Sequence, residues 1–354
     1  MIGVSVPGAV RVAGPVRTQG EPEPVAAPVV PMLFDDRWIA DHGIGRTARE
    51  WLRRGRAWRA IGRGPSPASP LDPLWLAGRL AGEPIPFFSP AYNAPLLSRR
   101  PFVVTVHDLC YLDLARTTGR LRQVYTATVV RDRCHAARGV VTVSAFSRAR
   151  LLDRFGLDAD SVEVVSPGVS DAFFEDGPVA SFARPYVLGV GNRSPHKNEA
   201  RTIEAFAASG LAATHDFVLS GQPRPLGPAA ESVRPRFLGR LDDRELAAMY
   251  RGADALIFVS LYEGFGSPAA EAMACGTPVL CSRGGALEET TGDAALHVDP
   301  ESVADIAAGM ERIVHDAPLR ARLRAAGPPR ARRFDWNLSV AALQAYLGRR
   351  LEGA

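Results

Sequence analysis

Ala255-Leu256-Ile257-Phe258-Val259-Ser260-Leu261-Tyr262-Glu263-Gly264-Phe265-Gly266-Ser267-Pro268-Ala269-Ala270-Glu271-Ala272-Met273-Ala274-Cys275-Gly276-Thr277-Pro278-Val279-Leu280-Cys281 decides the fold. The unbroken apolar run Ala255–Ser260 predicts a strand buried on both faces, as parallel sheets require. Gly264 and Gly266 let the chain turn sharply and approach a ligand closely. Ser267 stands where it would cap a helix over 268–274, and Pro268 suits the first helical position. Pro278–Cys281 reads as the next strand. Glu263 leaves the strand end and Glu271 falls one turn into the helix. The two carboxylates therefore flank a site of diphosphate size, with backbone N–H groups from Gly264, Phe265, Gly266 and Ser267 facing it. One carboxylate would accept from sugar hydroxyls and the other from ribose hydroxyls. A plain strand–turn–helix with solvated glutamates is the competing reading.

The same scheme extends outward in both directions. Strands are predicted at Met32–Asp36, Pro101–Val106, Gly139–Val143, Val162–Val165, Tyr186–Val190, Asp216–Ser220 and Arg236–Leu238, with helices between them. Alternation of this kind predicts an α/β protein of two Rossmann-like, doubly wound parallel-sheet domains facing a central cleft. Residues 1–31, punctuated by Pro22, Pro24, Pro28 and Pro31, are expected to be a disordered tail. Met32, which opens the first strand, is a candidate natural start. The N-terminal domain is placed at 32–176 and the C-terminal domain at 185–335. A terminal amphipathic helix at 336–354 must dock on one half, with the N-terminal domain its expected partner. Residues 46–62 read as one basic helix carrying Trp51 and Trp58, lying either on an anionic membrane or with its tryptophans packed inward.

Of 42 Lys plus Arg residues, Lys197 is the one lysine. It lies in Gly189-Val190-Gly191-Asn192-Arg193-Ser194-Pro195-His196-Lys197-Asn198, just after a predicted strand. A compact ammonium suits phosphate oxygens as a point charge where a guanidinium fork is wider and stiffer. The net charge of +4 suits an anionic ligand and is too small to argue for nucleic acid without a basic stripe. Cys110, Cys134, Cys275 and Cys281 form no C-x-x-C pair and are expected to be reduced thiols of a cytoplasmic protein. No metal-ligand spacing appears, no run approaches a membrane span, and no secretory signal opens the chain.

Five segments, taken in order, resemble the family 4 glycosyltransferases, retaining enzymes of the GT-B fold. They are Gly43-Ile44-Gly45-Arg46; Val106-His107-Asp108-Leu109; Val143 to Ser147 with Ser166-Pro167-Gly168-Val169; Gly191 to Asn198; and Glu263 to Glu271 with its continuation to Val279. The resemblance implies that Glu263 binds the donor sugar's hydroxyls, Glu271 the donor ribose, and Lys197 the diphosphate leaving group. Arg193 would assist Lys197, although many members place that arginine where this chain has Asn192. His107 would contact the reacting sugar from the N-terminal half, and Gly43 and Gly45 would form a loop closing over the phosphate. His107 could equally be a core histidine. Asp108 is read as a cap, His196 as solvent-facing, Arg240 as either a surface ion-pair partner or a phosphate ligand, and Asp35 and Asp36 as the end of the first strand. Ser267 departs from the usual leucine or isoleucine, and Val259 from a common proline.

The implied reaction moves a hexose, mannose or glucose type, from a nucleoside-diphosphate sugar to a glycan, a lipid-linked acceptor or a small molecule. The His-Lys-Asn and Gly-Ile-Gly-Arg segments look most like mannosyltransferases, which puts GDP-mannose ahead of UDP-glucose. No cofactor or metal is called for, since Lys197 and backbone N–H groups would offset the developing charge. No carboxylate nucleophile is evident, so the resemblance implies a front-face reaction. A nicotinamide-dependent dehydrogenase fails because Ser194 holds the third glycine position and the next strand ends Leu219-Ser220-Gly221 without an acid. A non-catalytic sugar-nucleotide-binding protein of the same fold, or a phosphorylase, remains the alternative.

Overall fold

The computed structural model describes residues 30–352 except 41–42, 99, 115–118, 175 and 192–193. The expectation of a disordered tail thus falls almost wholly outside the described residues. Two six-stranded sheets form, and every strand pair within them is parallel. The first contains β1 (Met32–Phe34), β2 (Trp58–Ala60), β3 (Phe87–Ser89), β4 (Phe102–Thr105), β5 (Gly139–Thr142) and β6 (Val162–Val164), ordered β2-β1-β3-β4-β5-β6. The second contains β7 (Tyr186–Gly189), β8 (Asp216–Leu219), β9 (Arg236–Phe237), β10 (Ala255–Phe258), β11 (Val279–Ser282) and β12 (Leu296–Val298), ordered β12-β11-β10-β7-β8-β9.

The strand order fixes where a ligand can sit. From β7 the chain winds outward through β8 and β9, then returns to the other side of β7 as β10. The reversal lies between β7 and β10, which pair with Ala255 opposite Val187. Connections leave a reversal point on opposite faces of the sheet and open a crevice beyond the carboxyl ends of the two strands. The predicted phosphate lysine follows β7, and the predicted sugar glutamate follows β10.

The N-terminal sheet reverses between β1 and β3, and its crevice is filled by the protein itself. Arg37 lies between two fully buried carboxylates: its Nη2 donates to Asp35 Oδ2 at 2.7 Å and its Nη1 to Asp72 Oδ1 at 2.6 Å. Asn93 Nδ2 reaches both acids, at 2.7 and 2.9 Å. Asp35 is therefore an anchor of the N-terminal core as well as the residue that ends β1, while Asp36 Oδ1 accepts from Gly62 N at 2.9 Å. Removing the only cation of such a network strands two buried charges. Arg37→Met should cost about 3–5 kcal/mol, measured as a loss of unfolding free energy in urea.

The single helix expected over 46–62 is a helix, Gly43–Arg54, followed by strand β2. The chain breaks between them at Gly55, where a Cβ would lie 2.7 Å from the Trp58 ring, and at Ala57, whose φ is +56°. Trp51 is fully buried, and Trp58 stacks on Phe34 with ring centres 4.7 Å apart. Trp51 thus packs inward, and Trp58, half-buried, rests on Phe34. Gly43 and Gly45 begin this helix instead of forming a loop. Among the described residues, no helix is long and apolar enough to cross a membrane.

The last helix, Trp336–Leu351, lies on the N-terminal half. Trp336, Leu343, Tyr346 and Leu347 share one core cluster with Met32, Phe34, Trp51 and Phe88. Tyr346 donates to the Ser161 carbonyl at 2.6 Å, and Trp51 Nε1 donates to Ser339 Oγ at 3.1 Å. The chain therefore crosses between the halves twice.

Candidate active site

The segment carrying Lys197 is tied to the chain that leaves β10. After β7 a short 3-10 turn, Pro195–Lys197, ends at Asn198 in the left-handed region, φ +58°. Asparagine tolerates that conformation better than most residues. Its buried side chain donates to the Val259 carbonyl at 3.0 Å and to the Pro300 carbonyl at 2.7 Å, tying the loop to the end of β10. Leu261 N donates to the His196 carbonyl at 2.7 Å, a second tie. Lys197 Nζ then lies 2.7 Å from Glu263 Oε1, with both side chains under 15% exposed. The ammonium also sits over the Phe258 ring, 5.3 Å from its centre. Asn192 and Arg193 lie outside the described residues, so the expected role of Arg193 has no structural account.

The Glu263–Glu271 segment departs from expectation at its cap. Its helix runs Ser267–Ala274, and Gly266, φ +96°, is the N-cap residue. Ser267 is already helical and Pro268 follows it in the first turn. No side chain caps this end, because the turn that presents it needs a positive φ that only glycine adopts easily. Phe265 is buried and packs edge-on to Phe334 at 4.9 Å, so it supports the turn from below.

Glu271 is 5% exposed and fully engaged. Tyr250 donates to its Oε2 at 3.2 Å, and Arg46 Nη1 donates to its Oε1. Arg46 Nη2 reaches Asp243 Oδ1 at 2.7 Å. Burial raises the proton affinity of Glu271, and the nearby guanidinium opposes that rise. Arg46 belongs to the N-terminal half, so this bridge spans the cleft. Gly45, next to it, is pressed on Ala40: a Cβ there would lie 2.2 Å from the Ala40 carbonyl oxygen. Gly45 thus serves the seating of its own helix.

His107 follows β4, and its carbonyl oxygen abuts Gly264 of the second domain. Its Nε2 bonds the Pro90 carbonyl at 2.9 Å, which places the ring proton on Nε2. The ring stacks near Trp51, with centres 6.4 Å apart and 17° between planes. Asp108 caps the following turn, its Oδ1 accepting from Cys110 N at 2.9 Å. Burial, reinforced by the Glu263 charge, raises its carboxyl. His196, read as solvent-facing, is half-buried, and burial followed by the Lys197 charge lowers its pKa. Arg240 is exposed.

Several contacts between the halves carry no mark in the sequence. Ser144 caps the helix Ala145–Phe155. The same helix end also receives Glu289 from the other half, at 2.7 Å from Ala145 N and 2.8 Å from Phe146 N. Tyr262 donates to Asp113 Oδ2 at 3.1 Å. At Gly264 the halves meet backbone to backbone, since a Cβ there would lie 2.7 Å from the His107 carbonyl oxygen. His107 and Asp108 of one domain thus lie against Gly264 of the other, next to Glu263 and its partner Lys197. Among the described residues no cluster of His, Cys, Asp and Glu has the arrangement of a metal site.

Two doubly wound parallel-sheet domains in contact, with Lys197 and Glu263 at the reversal point of the second, have the architecture of a GT-B glycosyltransferase. Residues 9–173 match the model described as Glycosyltransferase Family 4, and residues 180–330 the model described as Glycosyl transferases group 1. The chain belongs to this glycosyltransferase family. It is 28% identical over 264 residues to an O-antigen chain mannosyltransferase B of Escherichia coli, with 69% of each chain covered. It is 32% identical over 218 residues to an MMP alpha-(1->4)-mannosyltransferase of Mycolicibacterium hassiacum, covering 57% of this chain and 52% of that one. Its fold is that of a sucrose-phosphate synthase from Thermosynechococcus elongatus, at TM-score 0.74, 21% identity, and 91% and 99% coverage of the two chains. It is also that of the Anabaena protein HepE in complex with UDP-glucose, at TM-score 0.70, 19% identity, and 88% and 98% coverage.

Proposed function

We propose that the protein transfers a hexose of mannose or glucose type from a nucleoside-diphosphate sugar, with retention, to a glycan, a lipid-linked acceptor or a small molecule. The observation that carries this reading is the Lys197–Glu263 pair at 2.7 Å, at the reversal point of the second sheet. A carboxylate that now accepts from the ammonium has the chemistry to accept from sugar hydroxyls, while the ammonium offsets charge on the departing phosphate. The bond from the sugar's anomeric carbon to the phosphate oxygen breaks as a bond to the acceptor oxygen forms. The acceptor's proton passes to the leaving phosphate on the same face. His107, fixed by Pro90 and Trp51, borders the sugar from the other domain.

GDP-mannose is the first choice of donor, supported by relatives named as mannosyltransferases, and UDP-glucose is the second, supported by the complex of HepE. We further propose that the reaction proceeds without a divalent ion and in a reducing compartment. Lys197 and the uncapped helix end at Ser267 support the first point, and four unpaired, buried thiols support the second. UDP or GDP at a hundred times its dissociation constant should add about 2.7 kcal/mol to stability, read as a rise in melting temperature. Incubation with GDP-mannose or UDP-glucose should then release free nucleoside diphosphate, undiminished by EDTA. Binding without any turnover would leave a non-catalytic sugar-nucleotide-binding protein, and sugar 1-phosphate formed from inorganic phosphate would mark a phosphorylase.

A further inference from the structure

Arg46 stands in the motif that opens the N-terminal half, yet it reaches across the cleft to the carboxylate assigned to the donor ribose. Its Nη1 donates to Glu271 and its Nη2 to Asp243, on two different helices of the C-terminal half. Glu271 is 6% exposed at its side chain, while Arg46 is 34% and Asp243 is 38% exposed. The buried end of this bridge is therefore the glutamate, and its outer end at Asp243 is partly exposed.

On the donor reading above, the ribose hydroxyls and Arg46 compete for the same glutamate oxygen. Hydroxyls can replace the guanidinium's hydrogen bond without replacing its charge. A guanidinium freed on one side and still held by Asp243 keeps its charge within the cleft, and the strongest anion arriving with the ribose is the diphosphate. A planar fork with five donors can hold one carboxylate and turn its other edge to a phosphate. Tyr250 meanwhile keeps Glu271 Oε2, so the glutamate stays oriented during the exchange.

We infer that Arg46 is a donor-sensing residue, which holds Glu271 across the domain boundary before the donor binds and turns from it to the diphosphate, pivoting on Asp243, when the ribose takes its place. The exchange converts a contact between the two halves into a contact between the N-terminal half and the donor.

The test compares Arg46→Met with the native protein on four probes: UDP, GDP, uridine and guanosine, by calorimetry for the nucleotides and ligand-observed NMR for the nucleosides. Arg46→Met should weaken the preferred nucleoside diphosphate about tenfold or more, while the matching nucleoside binds as well as before or more tightly. Arg46→Lys, which keeps a charge on a flexible stem, should recover part of the nucleotide affinity and guards against a folding defect in the first variant, with melting curves run on both. A packing role would move both ligands together. Parallel loss of nucleoside and nucleotide, or no change in either, overturns the inference while leaving the donor reading standing. So would tighter binding of both. A native protein that binds neither UDP nor GDP overturns the donor reading and this inference with it.

Discussion

Lys197→Ala is expected to slow glycosyl transfer by about 10²–10³-fold, the size of effect seen when one preorganised charge-stabilising donor is removed. The loss should fall on kcat, because negative charge on the phosphate grows as the sugar departs, and affinity for the nucleoside diphosphate should weaken as well. Lys197→Arg should not restore the rate. Asn198, next to Lys197, is held at both Val259 and Pro300, so the backbone beside the lysine cannot back away to admit a wider head. Removing the ammonium also leaves Glu263 as a largely buried carboxylate without its ion-pair partner. That should cost about 1–3 kcal/mol, which Lys197→Ala with Glu263→Gln should partly return. A variant melting near the native temperature but unable to turn over donor would assign the defect to chemistry. An unchanged rate with Lys197→Ala would remove the ammonium from the mechanism.

The parts of this site that were legible in the sequence are those imposed by the backbone. A continuous apolar strand such as β10 can only be buried on both faces, and its Glu-Gly-Phe-Gly exit can only turn sharply. Those two demands place Glu263 at a strand end whatever the tertiary packing. The single lysine was visible because nothing in surface solvation selects one lysine among so many arginines. Arg46 was visible as the end of a motif, but its partner was not, because Glu271 lies 225 residues away and local spacing says nothing about which helix it will face. Glu289 at the end of the helix Ala145–Phe155 was invisible for the same reason. The helix expected to run to residue 62 failed because the arginine and tryptophan spacing continues past Arg54, whereas the backbone turns at Gly55 and Ala57 to make an edge strand. Ser267 misled in a similar way: a serine before proline has the composition of a cap, but the positive φ at Gly266 lets the helix start one residue earlier, at Ser267 itself.

Two glycines, two positions apart, should fail in opposite ways. In Gly264→Ala the new methyl would stand 2.7 Å from the His107 carbonyl oxygen and 3.2 Å from Asp108 Cβ, atoms of the other domain. Backbone cannot yield as a flexible side chain can, so the halves must separate slightly, and His107 moves with its half. A displacement near 1 Å at a reacting centre costs about 10²-fold in rate. The contact made by Ser147 Oγ on the Gly264 carbonyl, already long at 3.4 Å, should be lost too. The sheets of both halves stay intact, so melting should change little and small-angle scattering should show a slightly wider particle. In Gly266→Ala the methyl would meet Leu287 Cδ2 at 2.4 Å within the C-terminal half, on a backbone at φ +96°. That variant should lose about 1–3 kcal/mol of stability through strain while the alignment of the halves persists. Measuring kcat and unfolding free energy on both variants separates domain register from local strain. Full activity in Gly264→Ala would show that the two halves need not meet at this point for transfer to occur.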